Sequence, residues 1–136
     1  MRTPRSRTAA LTLALVALPL ALVACGGPSS YDLAKTRDCL EGAGLTVGPP
    51  PADDFVARSA TVGSFRASFP GAAGNAVTIS FGESADDAKQ TAGGYVRFHA
   101  RNVGVFDILQ VERNAVLLWK QHPTDDERTT VTSCLK

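Results

Sequence analysis

A chain of 136 residues with 14 basic and 13 acidic side chains carries a formal charge of +1 and has the length of one ordinary domain, not two. Three of the basic residues, Arg2, Arg5 and Arg7, fall in the first seven positions, so residues 25–136 hold 11 basic and 13 acidic side chains, a formal charge of −2. A nucleic-acid partner would call for a clustered basic face, and this charge pattern offers none.

The three arginines lead into an apolar run, residues 11–24, that closes on Leu22-Val23-Ala24-Cys25. A charged start, a short apolar stretch and small residues at the exit are the layout of a secretory signal. A membrane-crossing helix needs roughly 20 apolar residues. Residues 9–24 supply 16, interrupted by Pro19.

The cysteine directly after Val-Ala makes this stretch resemble a lipobox, the signature of bacterial lipoproteins. The resemblance implies diacylglycerol on the Cys25 thiol, cleavage before Cys25, and a mature chain lipid-anchored on the extracytoplasmic face of the cell membrane. An ordinary signal peptide, cut near Cys25 without lipid, is the alternative. No twin-arginine pair is present, which favours the general secretory route. The arginine- and alanine-rich style also resembles small secreted lipoproteins of high-GC Gram-positive bacteria. The chain then divides into a signal (1–24), a lipidated cysteine with its tether (25–30) and a domain (31–136). Gly26-Gly27-Pro28-Ser29-Ser30 is made of linker residues. Fully extended, five such residues reach about 17 Å, which keeps the domain close to the membrane surface.

With Cys25 assigned to the lipid, Cys39 and Cys134 remain. Paired cysteines sent to an oxidising compartment are usually bridged; two buried free thiols are the alternative. Two cysteines 95 positions apart are too few for a zinc site, and no CxxC serves redox work.

Ser30 is the expected N-cap of a first helix over residues 31–42, with Asp32 in its first turn and Leu33, Leu40 and Ala43 on one stripe. Gly42 and Gly44 stop it. A short extended piece, residues 45–47, precedes Pro49-Pro50-Pro51, a stiff connection that cannot enter a central strand. Asp53-Asp54-Phe55-Val56 reads equally as one helical turn or as loop. From Val62 the period becomes two. Phe65, Ala67 and Phe69 alternate with polar residues, and after a glycine-rich turn Val77, Ile79 and Phe81 do the same, an antiparallel hairpin. Ser84 caps a second helix whose buried face is Ala88, Ala92, Tyr95 and Val96. Gly93-Gly94 in its middle costs about 1 kcal/mol per glycine relative to alanine, enough to kink or end it. Residues 105–112 and 115–121 read as a second hairpin turning at Arg113-Asn114. Thr124 and Glu127 form a capping box that opens a last helix running to the chain end.

The order α-β-β-β-α-β-β-α predicts an α+β fold: a mainly antiparallel sheet, helices on one face, and a disulfide joining the first and last helices. No catalytic motif emerges. His99 and His122 stand in no recognisable constellation, and no GxSxG, HExxH, P-loop or dinucleotide pattern is present. The pairs Asp53-Asp54, Asp86-Asp87 and Asp125-Asp126 lack the alternate spacing of an EF-hand loop. No metal or cofactor is therefore expected beyond the covalent lipid.

A two-residue turn at Arg113-Asn114 sets Leu109 opposite Leu118, Gln110 opposite Leu117, Val111 opposite Val116 and Glu112 opposite Ala115, with Ile108 opposite Trp119 beyond. Both faces of this hairpin are then apolar in the middle. Either it is central and covered on both sides, or Phe106, Ile108, Leu117 and Trp119 form an exposed interaction patch. The functional expectation is a non-catalytic envelope binding module, held to the membrane by its lipid, whose partner is another envelope protein, a second copy or a small apolar ligand. An envelope enzyme of hydrolase type without a local motif is the alternative.

Overall fold

Alternating apolar positions build the sheet. In the computed structural model, which describes residues 29–71, 74–99 and 104–136, β2 (Gly63–Ser68) and β3 (Ala76–Phe81) pair antiparallel, Phe65 opposite Ile79 and Ala67 opposite Val77. The signal, Cys25 and most of the tether lie outside the described residues. β1 (Thr46–Gly48) adds to β2, β5 (Ala115–Trp119) to β3, and β4 (Leu109–Glu112) to β5. The resulting order is β1-β2-β3-β5-β4, antiparallel at every step. The last hairpin has the expected register, from Leu109–Leu118 to Glu112–Ala115.

Helices cover both faces, not one. α1 (Leu33–Gly42) and α5 (Asp125–Ser133) lie on the first face, where Leu40, Val131 and Cys134 pack with Phe65, Val77, Ile79, Phe81, Leu117 and Trp119. α2 (Phe55–Arg58) and α3 (Ala85–His99) lie on the second, where Val56, Ala57, Ala88, Ala92 and Tyr95 pack with Val116. The reason is visible in β3, buried at all six positions, Thr78 and Ser80 included. A strand with no wet face needs cover on both sides.

Several local expectations are corrected. The first helix starts at Leu33 under Asp32, not at Tyr31 under Ser30, and the Asp32 side chain accepts from Lys35 N at 2.9 Å. Tyr31 stays outside the helix, its N–H donating to the Asn114 side chain at 2.6 Å. Second, Val105–Ile108 is a helical turn, α4, and not the start of a strand. Gly104, at φ 105, redirects the chain, and Asp107 N bonds back to Gly104 O at 2.9 Å. The expected Ile108–Trp119 pair therefore does not form. Third, Leu117 and Trp119 are only 0% and 2% exposed beneath the first-face helices. The four residues Phe106, Ile108, Leu117 and Trp119 consequently do not make one exposed patch.

α3 runs unbroken through Gly93-Gly94. A Cβ on Gly94 would stand 3.2 Å from Val56 Cγ1, so the glycine lets α2 seat closely on α3. α5 ends at Ser133, earlier than expected, with Cys134 as its C-cap.

Two buried asparagines close the central pair of strands. The Asn114 side chain, 3% exposed, donates to Gly82 O at 2.9 Å and to Tyr31 O at 3.1 Å, while the Asn114 backbone carbonyl accepts from Gly82 N at 2.7 Å. Arg113 beside it sits at φ 52, a conformation unusual outside glycine, and its guanidinium lies 5.1 Å from the Tyr31 ring centre. At the other end Asn75, 1% exposed, accepts from Ala76 N and Gln121 N and donates to Gln121 O and Glu127 Oε2. Glu127 also caps its own helix through Thr124.

The Cys39–Cys134 disulfide joins α1 to the end of α5, the two Cα atoms 5.4 Å apart, within the usual span of such bridges. Beside it Asp32 N donates to Lys136 O, so both ends of the domain are tied together.

Reducing this bridge, or replacing Cys39 by serine, should lower stability by up to about 4–5 kcal/mol, the loop-entropy figure for a closure of this length; unchanged urea midpoints with and without reductant would contradict it. Trp119→Ala should cost about 3–5 kcal/mol as a buried aromatic deletion. Glu127 supplies a pH test. Burial would raise its pKa, but hydrogen bonds from the Thr124 backbone, Asn75 and the Thr124 hydroxyl outweigh this and hold it below the ordinary 4.5. Its contribution is therefore complete above about pH 4.5 and lost as pH falls through the lower folded value. Glu127→Gln keeps the cap geometry and should be less stable than wild type at pH 7, with the gap closing at low pH.

Candidate functional site

Among the described residues, apolar and polar side chains gather around clefts on both faces of the sheet. The first lies on the α1–α5 face beside the edge strand β4. The α4 turn throws Phe106 outward, 74% exposed, while Ile108 packs inward on the core. Between α4 with β4 and the start of α5 lies a cleft of about 230 Å³, lined by Phe106, Asp107, Ile108, Gln110, Trp119 and Arg128 among others. The structure thus brings three of the four patch candidates to one place, around a cleft and not across a flat sheet face. Leu117 is not among them.

Trp119 is stacked on Phe69, ring centres 6.4 Å apart, and its Nε1–H is buried without a hydrogen bond to any described protein group. A buried N–H in that condition costs about 1–3 kcal/mol. Gln110 is engaged, donating to Glu112 Oε1 at 2.8 Å. Asp107 and Arg128 carry opposite charges on the same cleft, yet the ion pairs among the described residues are Arg37–Glu41 and Lys89–Asp86.

The second region is on the opposite face. Phe55 opens α2 and Phe98 stands near the end of α3; both are more than half exposed, and their rings meet edge-to-face with centres 4.6 Å apart. A cleft of about 260 Å³ lies on each side of the pair, one bordered by Asp87, Gln90 and Thr91, the other by Pro51, Asp53 and Asp54. Beneath them Asp54 caps α2 through Ala57 N at 2.9 Å and accepts from the Tyr95 hydroxyl at 3.1 Å. Burial, opposed by Ser80 and reinforced by Asp54, holds the Tyr95 phenol well above its ordinary range. Tyr95 is therefore a fixed donor that pins α2 to α3.

Sequence reasoning missed this pair. Phe98 lies about 60° round the helix from Tyr95, on the border of the buried stripe, where burial and exposure read alike. The signal for Phe55 is the Asp-Asp-Phe stretch, which reads equally as one helical turn or as loop.

Among the described residues no group of three or more His, Cys, Asp or Glu side chains is close enough to hold a metal ion, and no helix is long and apolar enough to cross a membrane. No family model matches the chain, no curated protein matches its sequence, and no solved structure matches it.

Proposed function

We propose that this chain is a non-catalytic binding module, anchored on the extracytoplasmic face of the cell membrane through lipid on Cys25, which presents the Phe55–Phe98 pair to an envelope partner. The lipobox-like exit of the signal supports the anchor, and the Cys39–Cys134 bridge suits an oxidising compartment.

The observation that carries the reading is the exposed aromatic pair and its position. Tyr31, where the tether meets the domain, is bonded to Asn114, and Asn114 is bonded to Gly82, three residues before α3 begins. α3 then carries Phe98 about 20 Å along its axis, at 1.5 Å per residue. The pair therefore stands at the end of the domain away from the tether. Aromatic side chains at such positions commonly anchor contacts.

A photo-reactive residue placed at Phe98 in the membrane-bound protein should cross-link to a partner, while one at Asp38, exposed on α1, should not. Equal cross-linking from both positions, or none from Phe98, contradicts the reading. Cys25→Ser should leave an unprocessed precursor that no longer partitions into detergent; an intact mass showing an unlipidated mature N-terminus at another residue would remove the anchor.

A further inference from the structure

The chemistry around the Phe55–Phe98 ridge specifies what docks there. The two rings meet at 79°, edge to face, so each keeps at least one face clear of the other. Val56 lines the clefts on both sides of the ridge, joined by Gly94 in one and by Pro51 in the other. Among the described residues, every charged side chain lining these clefts is a carboxylate, Asp87 on one side and Asp53 and Asp54 on the other. Arg58 and Arg97, the basic residues of α2 and α3 closest in sequence to the two rings, line neither cleft. The Arg58 guanidinium is turned instead to Ala52 O at 3.0 Å. Asp54 and Asp87 also serve the fold, through Ala57 and Tyr95 and through Ser84. The exposed Asp53 side chain makes no hydrogen bond or ion pair with a described residue.

This surroundings-and-ridge combination selects among occupants. A wholly apolar partner would cover carboxylates without matching them, which costs free energy. An acidic partner would be repelled. A cation is attracted both by the carboxylates and by the negative face of an aromatic ring. A guanidinium fits better than an ammonium, because it is planar, stacks flat on a ring and pairs with a carboxylate through two donors. Each cleft, about 260 Å³, is smaller than a site for a drug-sized molecule and suits a single side chain. With carboxylates on both sides of the ridge, one cation leaves half of the surface unmatched. We infer that the envelope partner presents a segment carrying two arginines, which crosses the Phe55–Phe98 ridge with one guanidinium in the Asp53 cleft and the other in the Asp87 cleft. This rests on the docking reading above and names the chemistry of what docks.

The probe is a fluorescein-labelled peptide, Ser-Arg-Leu-Arg-Ser with a blocked C-terminus, titrated with the full chain in nonionic detergent and followed by anisotropy. It should bind saturably; the version with glutamine for both arginines should not, and the lysine version should bind more weakly. Phe98→Ala should raise the midpoint about tenfold, as loss of an aromatic anchor does. Asp53→Asn and Asp87→Asn, both close in shape to the original, should each raise it about threefold, the scale of an exposed charge pair. Asp38→Asn, on α1, should leave it unchanged. Sequencing the partner peptide that cross-links to position 98 separates this inference from the reading beneath it. A cross-linked peptide bearing two arginines supports both. A cross-linked peptide without basic residues, equal binding of the glutamine or lysine version, or unchanged midpoints in the Asp53 and Asp87 variants overturns the inference and leaves the docking reading standing. No cross-link from position 98 removes the docking reading and this inference with it.

Discussion

The pairing of β3 with β5 organises this molecule, and two side-chain amides decide where that pairing begins and ends. β3 has no wet face, so every backbone group at its ends must be matched within the protein. Asn114 does this at one end, bonding Gly82 beyond β3 and Tyr31 at the entry of the domain. Asn75 does it at the other, bonding Gln121 beyond β5 and Glu127 in the cap of α5. A buried amide is costly unless its donors and acceptors are met, and these two are met by three or more partners each. The same bonds that end the strands thereby fix the first residue of the domain and the last helix.

From that constraint the two surface features follow. With Tyr31 held at the Asn114 end, α3 starts beside it and carries Phe98 to the other end of the molecule. Gly94 lets α2 approach, and the Asp54–Tyr95 hydrogen bond keeps Phe55 within reach of Phe98. On the opposite face, Gly104 interrupts what would have been a longer strand. The helical turn that replaces it opens the cleft over Trp119. One face thus presents an aromatic ridge and the other a small polar-walled hollow.

Much of the fold was legible in the residues, for identifiable reasons. Period-two runs placed β2 and β3, and the Arg113-Asn114 turn set the register of the last hairpin correctly. The Thr124–Glu127 box named its helix start, and two leftover cysteines named the bridge. Other features depended on tertiary partners that no local pattern contains. Val105-Phe106-Asp107-Ile108 is rich in strand formers, yet the positive φ of Gly104 turns it helical. Thr78 and Ser80 look like a solvent face, and only the packing of α2 and α3 buries them. Trp119 showed its apolar setting in the sequence, but whether it faced core or partner was decided by the helices above it. The cleft became visible only when α4, β4 and α5 were set side by side.

The central claim is that the buried asparagines clamp the β3–β5 pair and, through it, the whole domain. Native-state amide hydrogen exchange tests it residue by residue. The account predicts that the amides of Tyr31, Gly82 and Gln121, all outside regular strands but bonded to Asn114 or Asn75, exchange within about tenfold of the central β3 amides, opening only with global unfolding. Exchange of these three amides at the rate of exposed loop amides, with β3 still protected, would contradict it.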